Sequence, residues 1–184
     1  IVNLTHGFNE KEIFHRNLFI LGKNSKARIL LCDHTLNKTS NLNHVATEVY
    51  LDQNGDLELY DIQNEPEFSN VLNHNWVYQE RDSRLRALFF SLHGGMIRNN
   101  VNVRLADKGA ETNLYGLTLS DRQQRMDNYT HIDHLSADCN SHELYKSILD
   151  DESRGAFSGR ILVRKDAQRT NAYQTNNNIC LTEK

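Results

Sequence analysis

The densest polar constellation in the chain is Tyr129-Thr130-His131-Ile132-Asp133-His134, followed by Cys139 and His142. Imidazole, carboxylate and thiol are all competent metal ligands, and a thiolate favours zinc or iron–sulfur species. If the tract is a strand, alternate side chains share a face. His131 and Asp133 then point one way, and Ile132 and His134 the other. His134, Cys139 and His131 are accordingly the candidate metal ligands. Their spacing matches no closed zinc site. The competing reading makes His131 or His134 a hydrogen-bonded residue at a coil edge and Cys139 a small buried hydrophobe.

Other polar groups carry less. In Cys32-Asp33-His34 a thiol and an imidazole share one strand face, but a nucleophilic Cys–His pair needs a third group to orient the base, and none is evident. A buried cysteine beside a surface histidine is the plainer reading. His93-Gly94-Gly95 suggests an oxyanion loop, yet no GxSxG serine exists to use it, and a tight turn accounts for it. No Walker-type phosphate loop is present. ATP chemistry would have to come from another chain, and no residue is assigned as catalytic.

The elements that must position these groups are strands. Runs 27–31, 45–51, 57–62, 76–79, 85–92, 101–105, 113–119, 129–134 and 159–163 alternate or are β-branched. Turn residues separate them, including Asn54-Gly55, Arg81-Asp82, Gly94-Gly95 and Lys108-Gly109. Proline occurs once and glycine nine times. Such spacing fits a sandwich, a barrel or a β-solenoid. Recurrence favours the solenoid. Thr112-Asn113-Leu114-Tyr115 returns as Thr170-Asn171-Ala172-Tyr173, about 58 residues downstream, and Tyr60 ends a fainter upstream echo. The abundant asparagines at 99, 100, 102, 113 and 171 suit the corners of a coil or stacked ladders. Asn140 to Leu149 reads equally as a capped helix or a strand. Asn178 to Thr182 reads as a strand cut off just after it begins. Trp76, Phe89, Phe90 and Phe157 read as core, and 88–92 as a strand covered on both faces.

Bulk properties exclude some classes. The 184 residues carry a net charge of −3, so no electrostatic footprint for nucleic acid exists. Arg81, Arg84 and Arg86 read as a solvated strand edge. No segment is long and apolar enough to span a membrane. The opening Ile1-Val2-Asn3-Leu4 has neither methionine nor the marks of a secretion signal, so an excised piece of a longer protein is expected. Three dispersed cysteines without a CxxC pair suggest free thiols in a reducing, cytoplasmic setting.

The tract from Met126 to Asn178 resembles the SufD family, a β-helix subunit type of the SUF iron–sulfur cluster assembly machinery. The residues that carry the resemblance are Asp127 to His134, Cys139, Glu143 to Leu149, Phe157 to Arg164 and Ala172 to Asn178. Upstream, Leu31-Cys32-Asp33-His34 and Arg98 to Val103 join them. The resemblance implies an all-β fold, a right-handed parallel β-helix of stacked short strands with little or no helix. Residues 1–184 would form the core domain, with the family's N-terminal and C-terminal helical segments absent. It favours the strand reading of 143–149. It also implies a non-catalytic scaffold that pairs with a SufB-like subunit and a SufC-like ATPase and supports iron supply. No cofactor is expected in this piece; iron or an iron–sulfur cluster would belong to the full complex. A homodimer of the piece could stand in for the natural pair. Two departures bear on the site. Asp138 stands where family members often carry a histidine before the cysteine, and the family's later Cys-Ser-His-Gly motif is not in this sequence.

Two readings from other classes compete. A carbohydrate-active β-helix of the polysaccharide lyase type would need an acidic cluster on one wall and a basic catalytic group, and no such cluster falls on alternating positions. A self-associating structural β-solenoid needs only exposed strand edges.

Overall fold

The computed structural model describes residues 1–6, 11–36 and 40–182. None of these residues is helical, and among them no helix is long and apolar enough to cross a membrane. Among the described residues thirteen strands wind into a parallel β-solenoid of about six turns. One sheet contains β1 (Val2–Thr5), β3 (Lys26–Thr35), β5 (Asp56–Asn64), β7 (Arg84–His93), β9 (Glu111–Ser120), β11 (Asn140–Leu149) and β13 (Asn171–Cys180). The other contains β2 (Lys11–Leu21), β4 (Asn41–Leu51), β6 (Ser69–Gln79), β8 (Met96–Leu105), β10 (Arg125–His134) and β12 (Arg154–Val163). Each coil thus contributes one strand to each sheet, and the repeat is about 30 residues.

The corners explain the winding. Every described turn from the second sheet to the first carries a left-handed residue: Asn24, Asn54, Asp82, Gly109, Asp138 and Arg169. Left-handed backbone reverses the chain sharply and is cheapest for Asn, Asp and Gly. These corners stack on one another. Asn54 Nδ2 donates to Asn24 Oδ1 at 2.9 Å, and Arg169 grips Asp138 through two bonds of 2.6 and 2.8 Å. Gly109 takes the left-handed backbone at φ 73° without strain, and a Cβ there would push the Asp82 carboxylate aside, lying 2.1 Å from its Oδ1. Gly95 is required in the opposite corner, where a Cβ would meet Glu67 O at 2.4 Å. The His93-Gly94-Gly95 stretch is therefore a tight turn.

Residues 140–149 form the strand β11 rather than a helix. The stretch ending at Cys180 is the close of a ten-residue strand, not the start of one. The strands run longer than their apolar signals. Trp76 to Gln79 is only the tail of β6, because Asn, His and Ser in its first half hide the alternation. The repeated tyrosines fall in register only in part. Tyr60 and Tyr115 share one row through Leu88, but Tyr173 pairs through His142 with Asn113. The Thr-Asn-x-Tyr copies lie two coils apart and are offset by two residues.

The apolar core is a spine fed by both sheets, with Leu57, Leu59, Leu85, Val103, Leu105 and Ile132 essentially inaccessible. Each such side chain contributes about 2 kcal/mol of burial. Phe89 belongs to this core, and Phe157 packs against it and against Tyr145, with ring centroids 4.9 Å apart. Beside the spine runs a polar ladder. Asn73, Asn99 and Asn128 occupy one inward row of β6, β8 and β10. Asn99 donates to Asn128 Oδ1 at 3.0 Å, and Asn73 donates to Asp61 Oδ2 at 2.6 Å. Gln63 and Ser91 close the network, with Gln63 Nε2 donating to Asn99 Oδ1 at 2.7 Å. The expected Asn ladder exists inside the coil, as Asn73, Asn99 and Asn128; Asn100, Asn102, Asn113 and Asn171 lie in strands on outward positions rather than at corners.

Asp61 lies deep in this network. Burial, with Asp33 adding repulsion, pushes its carboxyl up to about 7. A group whose proton is held more tightly in the folded state favours folding most below its unfolded pKa, and that contribution fades as pH rises through the folded value. Between about pH 4 and pH 7 the slope is about 1.4 kcal/mol per pH unit. Asp61→Asn removes this titration. Its stability profile against pH is expected to be flatter than wild type over that interval, with the variant's relative advantage growing towards pH 8. Parallel denaturation profiles for the two proteins would contradict the assignment.

Candidate functional site: the outer face of the second sheet

In β10 the alternation divides the polar tract. Tyr129, His131 and Asp133 face outward, whereas Asn128, Thr130, Ile132 and His134 face the interior. Arg164, just beyond β12, clamps Asp133 through bonds of 2.9 and 2.8 Å and holds its carboxyl below the usual range. His134 is 0 % exposed. Its Nε2 meets Ser141 Oγ at 2.9 Å, and burial lowers its pKa, so the imidazole stays neutral. Cys139 sits in the corner before β11, buried, with its thiol against the carbonyls of Asp107 at 3.3 Å and Ala137 at 3.5 Å.

His131, His134 and Cys139 therefore lie on the outer face, on the inner face and in a corner. The structure does not bring them together, and no cluster of three or more His, Cys, Asp or Glu suited to a metal ion occurs among the described residues. His142 faces outward on β11, edge-on to Tyr115. Cys32 and His34 lie on the outer side of β3, while Asp33 turns in to accept from Asn3 at 2.7 Å. Glu143 is buried, takes a hydrogen bond from Gln174 at 2.6 Å, and has its carboxyl raised by burial.

What the outer face does assemble is an aromatic and aliphatic surface. In-register pairing places Leu18, Glu48, Trp76, Asn102, His131 and Arg160 in one row across the sheet. The adjacent row is Ile20, Tyr50, Tyr78, Arg104, Asp133 and Leu162. Trp76 is 45 % exposed, Phe14 69 % and Ile20 68 %. Trp76 was expected in the core; it lies outside because Asn75 and Val77 take the inward positions of β6. Rings stack along the face, Tyr50 on Tyr78 at 5.5 Å, His74 on Trp76 at 5.6 Å and Phe14 on His44 at 4.4 Å between centroids. A shallow groove of about 600 Å³ runs between Trp76, Tyr78, Arg104, His131 and the Asp133–Arg164 pair. Arg98 closes over Tyr129 at 4.3 Å. Exposed apolar and aromatic side chains bordered by charged ones are the kind of surface on which interaction sites are found. The signal in the sequence was Trp and Tyr alternating with inward Asn and Gln, the reverse of the usual polarity.

Of the Arg81, Arg84, Arg86 group, Arg81 and Arg86 are held in cross-coil ion pairs. Arg86 pairs with Glu58, which also takes Arg28 from the coil on its other side, and Arg81 pairs with Asp107. These exposed cross-coil pairs contribute little individually.

The cysteines offer a direct check. All three are free. Burial raises the Cys139 thiol above its ordinary pKa, and the thiolate is the reactive species. A maleimide reagent at pH 7.5 is expected to label exposed Cys180 and half-buried Cys32 in the folded chain, and Cys139 only after unfolding. Mass spectrometry showing prompt Cys139 labelling would contradict its place in the corner.

Comparison with known proteins accords with this architecture. Residues 4–184 match the family model described as the SUF system FeS cluster assembly SufBD core domain. The chain is 23% identical to the iron–sulfur cluster assembly protein SufD of Escherichia coli, over 98% of this chain and 44% of that protein. It is 28% identical to an iron–sulfur cluster assembly SufBD family protein of Synechocystis, over 77% of this chain and 31% of that one. A SufBD family protein of Mycobacterium leprae is 29% identical over 55% and 28% of the two chains. The chain thus spans less than half the length of these relatives. The chain belongs to the SufBD family of the SUF iron–sulfur cluster assembly system.

Proposed function

We propose that this chain is a non-catalytic scaffold subunit of cytoplasmic iron–sulfur cluster assembly, pairing with a SufB-like subunit and a SufC-like ATPase and supporting iron supply. The single observation that carries the reading beyond family membership is the exposed aromatic face of the second sheet. Trp76, Tyr78 and Tyr50 lie side by side there with no partner element over them among the described residues. Parallel sheets are normally covered on both faces, and buried Trp and Tyr are the residues that dominate interfaces.

The chemistry of the chain fits a scaffold. Its strongest titration shifts sit in the sealed interior, at Asp61 and Tyr145. The outward polar groups are held in ion pairs such as Asp133–Arg164 rather than poised for proton transfer. His131, His134 and Cys139 do not share a site, so iron carried in the assembly would draw on ligands from other chains or segments as well.

The test is co-purification of the full-length protein with its SufB-like and SufC-like partners, as wild type and as Trp76→Ala/Tyr78→Ala. These two side chains are exposed, so the fold should survive their removal. Loss of an interface anchor costs about 2 kcal/mol or more, which is roughly 30-fold in affinity. Weakened pairing with unchanged circular dichroism is the expected result. Unchanged pairing would move the interface away from this face, and failure of the wild type to associate would defeat the scaffold reading.

A further inference from the structure

The outer face of the second sheet has an aromatic half and an arginine half. β4 and β6 turn Leu42, Tyr50, Leu72, Trp76 and Tyr78 outward. β8 and β12 turn Arg98, Arg104 and Arg160 outward. The carboxylates on this side of the strands are already engaged. Glu12 meets His44, Glu48 meets Arg16, Asp127 meets Arg125, and Arg164 takes both oxygens of Asp133. Arg98 neighbours Asp127 in register and Arg104 neighbours Asp133, but Arg98 lies over the Tyr129 ring instead. β8 is flanked by β6 and β10, both described throughout. Among the described residues none of Arg98, Arg104 and Arg160 forms an ion pair with a carboxylate. Burial, and then the charge of Arg98 and His44, hold the His74 imidazole beside Trp76 below its ordinary range. Cations at the centre of the face thus already oppose a further one.

The backbone restricts what can cover these side chains. From β4 to β10 every strand is paired on both sides, so the face offers a partner side chains but no free ladder of N–H and C=O groups. A segment lying across Trp76 and Tyr78 away from water must satisfy its own backbone, and an α-helix does so internally. Helices are also what normally cover parallel sheets. Arg98 and Arg104 are separated along one strand by about 20 Å, the length of about 13 helical residues. A helix of about four turns laid along the strands reaches both.

We propose, building on the interface reading of this sheet, that the face receives an acidic amphipathic helix of a partner protein. Its apolar stripe covers Tyr50, Trp76 and Tyr78, and carboxylates along its flank meet Arg98, Arg104 and Arg160. Charge complementarity of this kind fixes register and speeds encounter. A nucleic acid or an anionic membrane fits less well, because Glu48 and Asp133 line the same groove and the chain carries a net charge of −3. A continuous array of phosphates would be set against those carboxylates, whereas a helix can space its acids over the arginines alone.

Trp76 is the one tryptophan of the chain, so its emission reports what covers the groove. The probes are two hydrocarbon-stapled helical peptides of about 20 residues, with the same leucine stripe, one flanked by glutamates and the other by lysines. Each is titrated into the intact chain. The glutamate peptide is expected to give a saturable blue shift, and to bind about tenfold more weakly to Arg98→Gln/Arg104→Gln or in about 0.5 M salt. Both arginines lie outside the core, and unchanged circular dichroism checks the fold of the variant. Equal binding of the lysine peptide, an affinity that ignores the arginines, or no saturable shift overturns the proposal. So does a saturable shift with single-stranded RNA or phosphatidylglycerol vesicles in place of the glutamate peptide. Co-purification with the SufB-like and SufC-like partners separates this proposal from the scaffold reading. Pairing lost in Trp76→Ala/Tyr78→Ala but kept in Arg98→Gln/Arg104→Gln preserves the scaffold and refutes the acidic helix. Failure of the wild type to pair while the glutamate peptide still binds does the reverse.

Discussion

In-register backbone hydrogen bonding of each coil on the next is the constraint from which the rest of this molecule follows. Once Lys26 sits beside Asp56 and Asp56 beside Arg84, every residue of the first sheet acquires fixed neighbours one coil above and one below. Strands in a sheet lie about 4.8 Å apart, so stacked side chains touch whether or not they are suited to one another. The chain meets that condition with like-on-like rows inside, as in Val49, Val77, Val103, Ile132 and Ile161. Outside it alternates charge, as in Arg28, Glu58 and Arg86. The left-handed corner residues keep the register, because each must reverse the chain at the same height as its neighbour.

Register also explains the asparagines. A side-chain amide both donates and accepts, so identical amides can bond head to tail along a stack of parallel strands. Asn73, Asn99 and Asn128 do this within a mostly apolar lumen, and Gln63, Ser91 and Thr118 complete the bonding. Such an interior lets polar residues occupy inward positions at modest cost, but only while every amide has its neighbour in place. The cost appears in the neighbouring rows at Asn41, Asn43 and Asn75, and at Asn73 itself, each of which leaves a side-chain oxygen without a partner among the described residues.

Much of this fold was legible in the residues, and the exceptions have one cause. The alternating apolar runs placed nine strands, and Asn54-Gly55, Gly94-Gly95 and Lys108-Gly109 marked real corners. The family motifs settled β11 as a strand, where local capping and helical spacing could not. The division of His131 and Asp133 from His134 followed from strand geometry alone and matches the structure. What failed was the assumption that large apolar residues point in and polar ones out. In β6, Asn73 and Asn75 fill the interior while Trp76 and Tyr78 face solvent. A single strand read without its neighbours cannot reveal this, because the amides are acceptable inside only as members of a stack. The Thr-Asn-x-Tyr recurrence misled in register for a related reason. Coils differ in length at their corners, so equal sequence spacing does not guarantee equal position.

The inverted polarity also bears on why this domain is suited to assembly. A solenoid whose interior is cross-bonded amide and aliphatic rows is stabilised coil by coil, through nearest neighbours. Its outer faces are then free of the task of stabilising the fold. The second sheet uses that freedom to display Phe14, Ile20, Tyr50, Trp76 and Tyr78 in adjoining rows, bordered by Arg98, Arg104 and Arg160. Tyr50 stacks on Tyr78 and His74 on Trp76, and rings already packed in this way have less side-chain entropy to lose on binding. A pre-ordered apolar surface on a rigid axis is what the proposed scaffold role would require in order to hold other subunits at fixed separation.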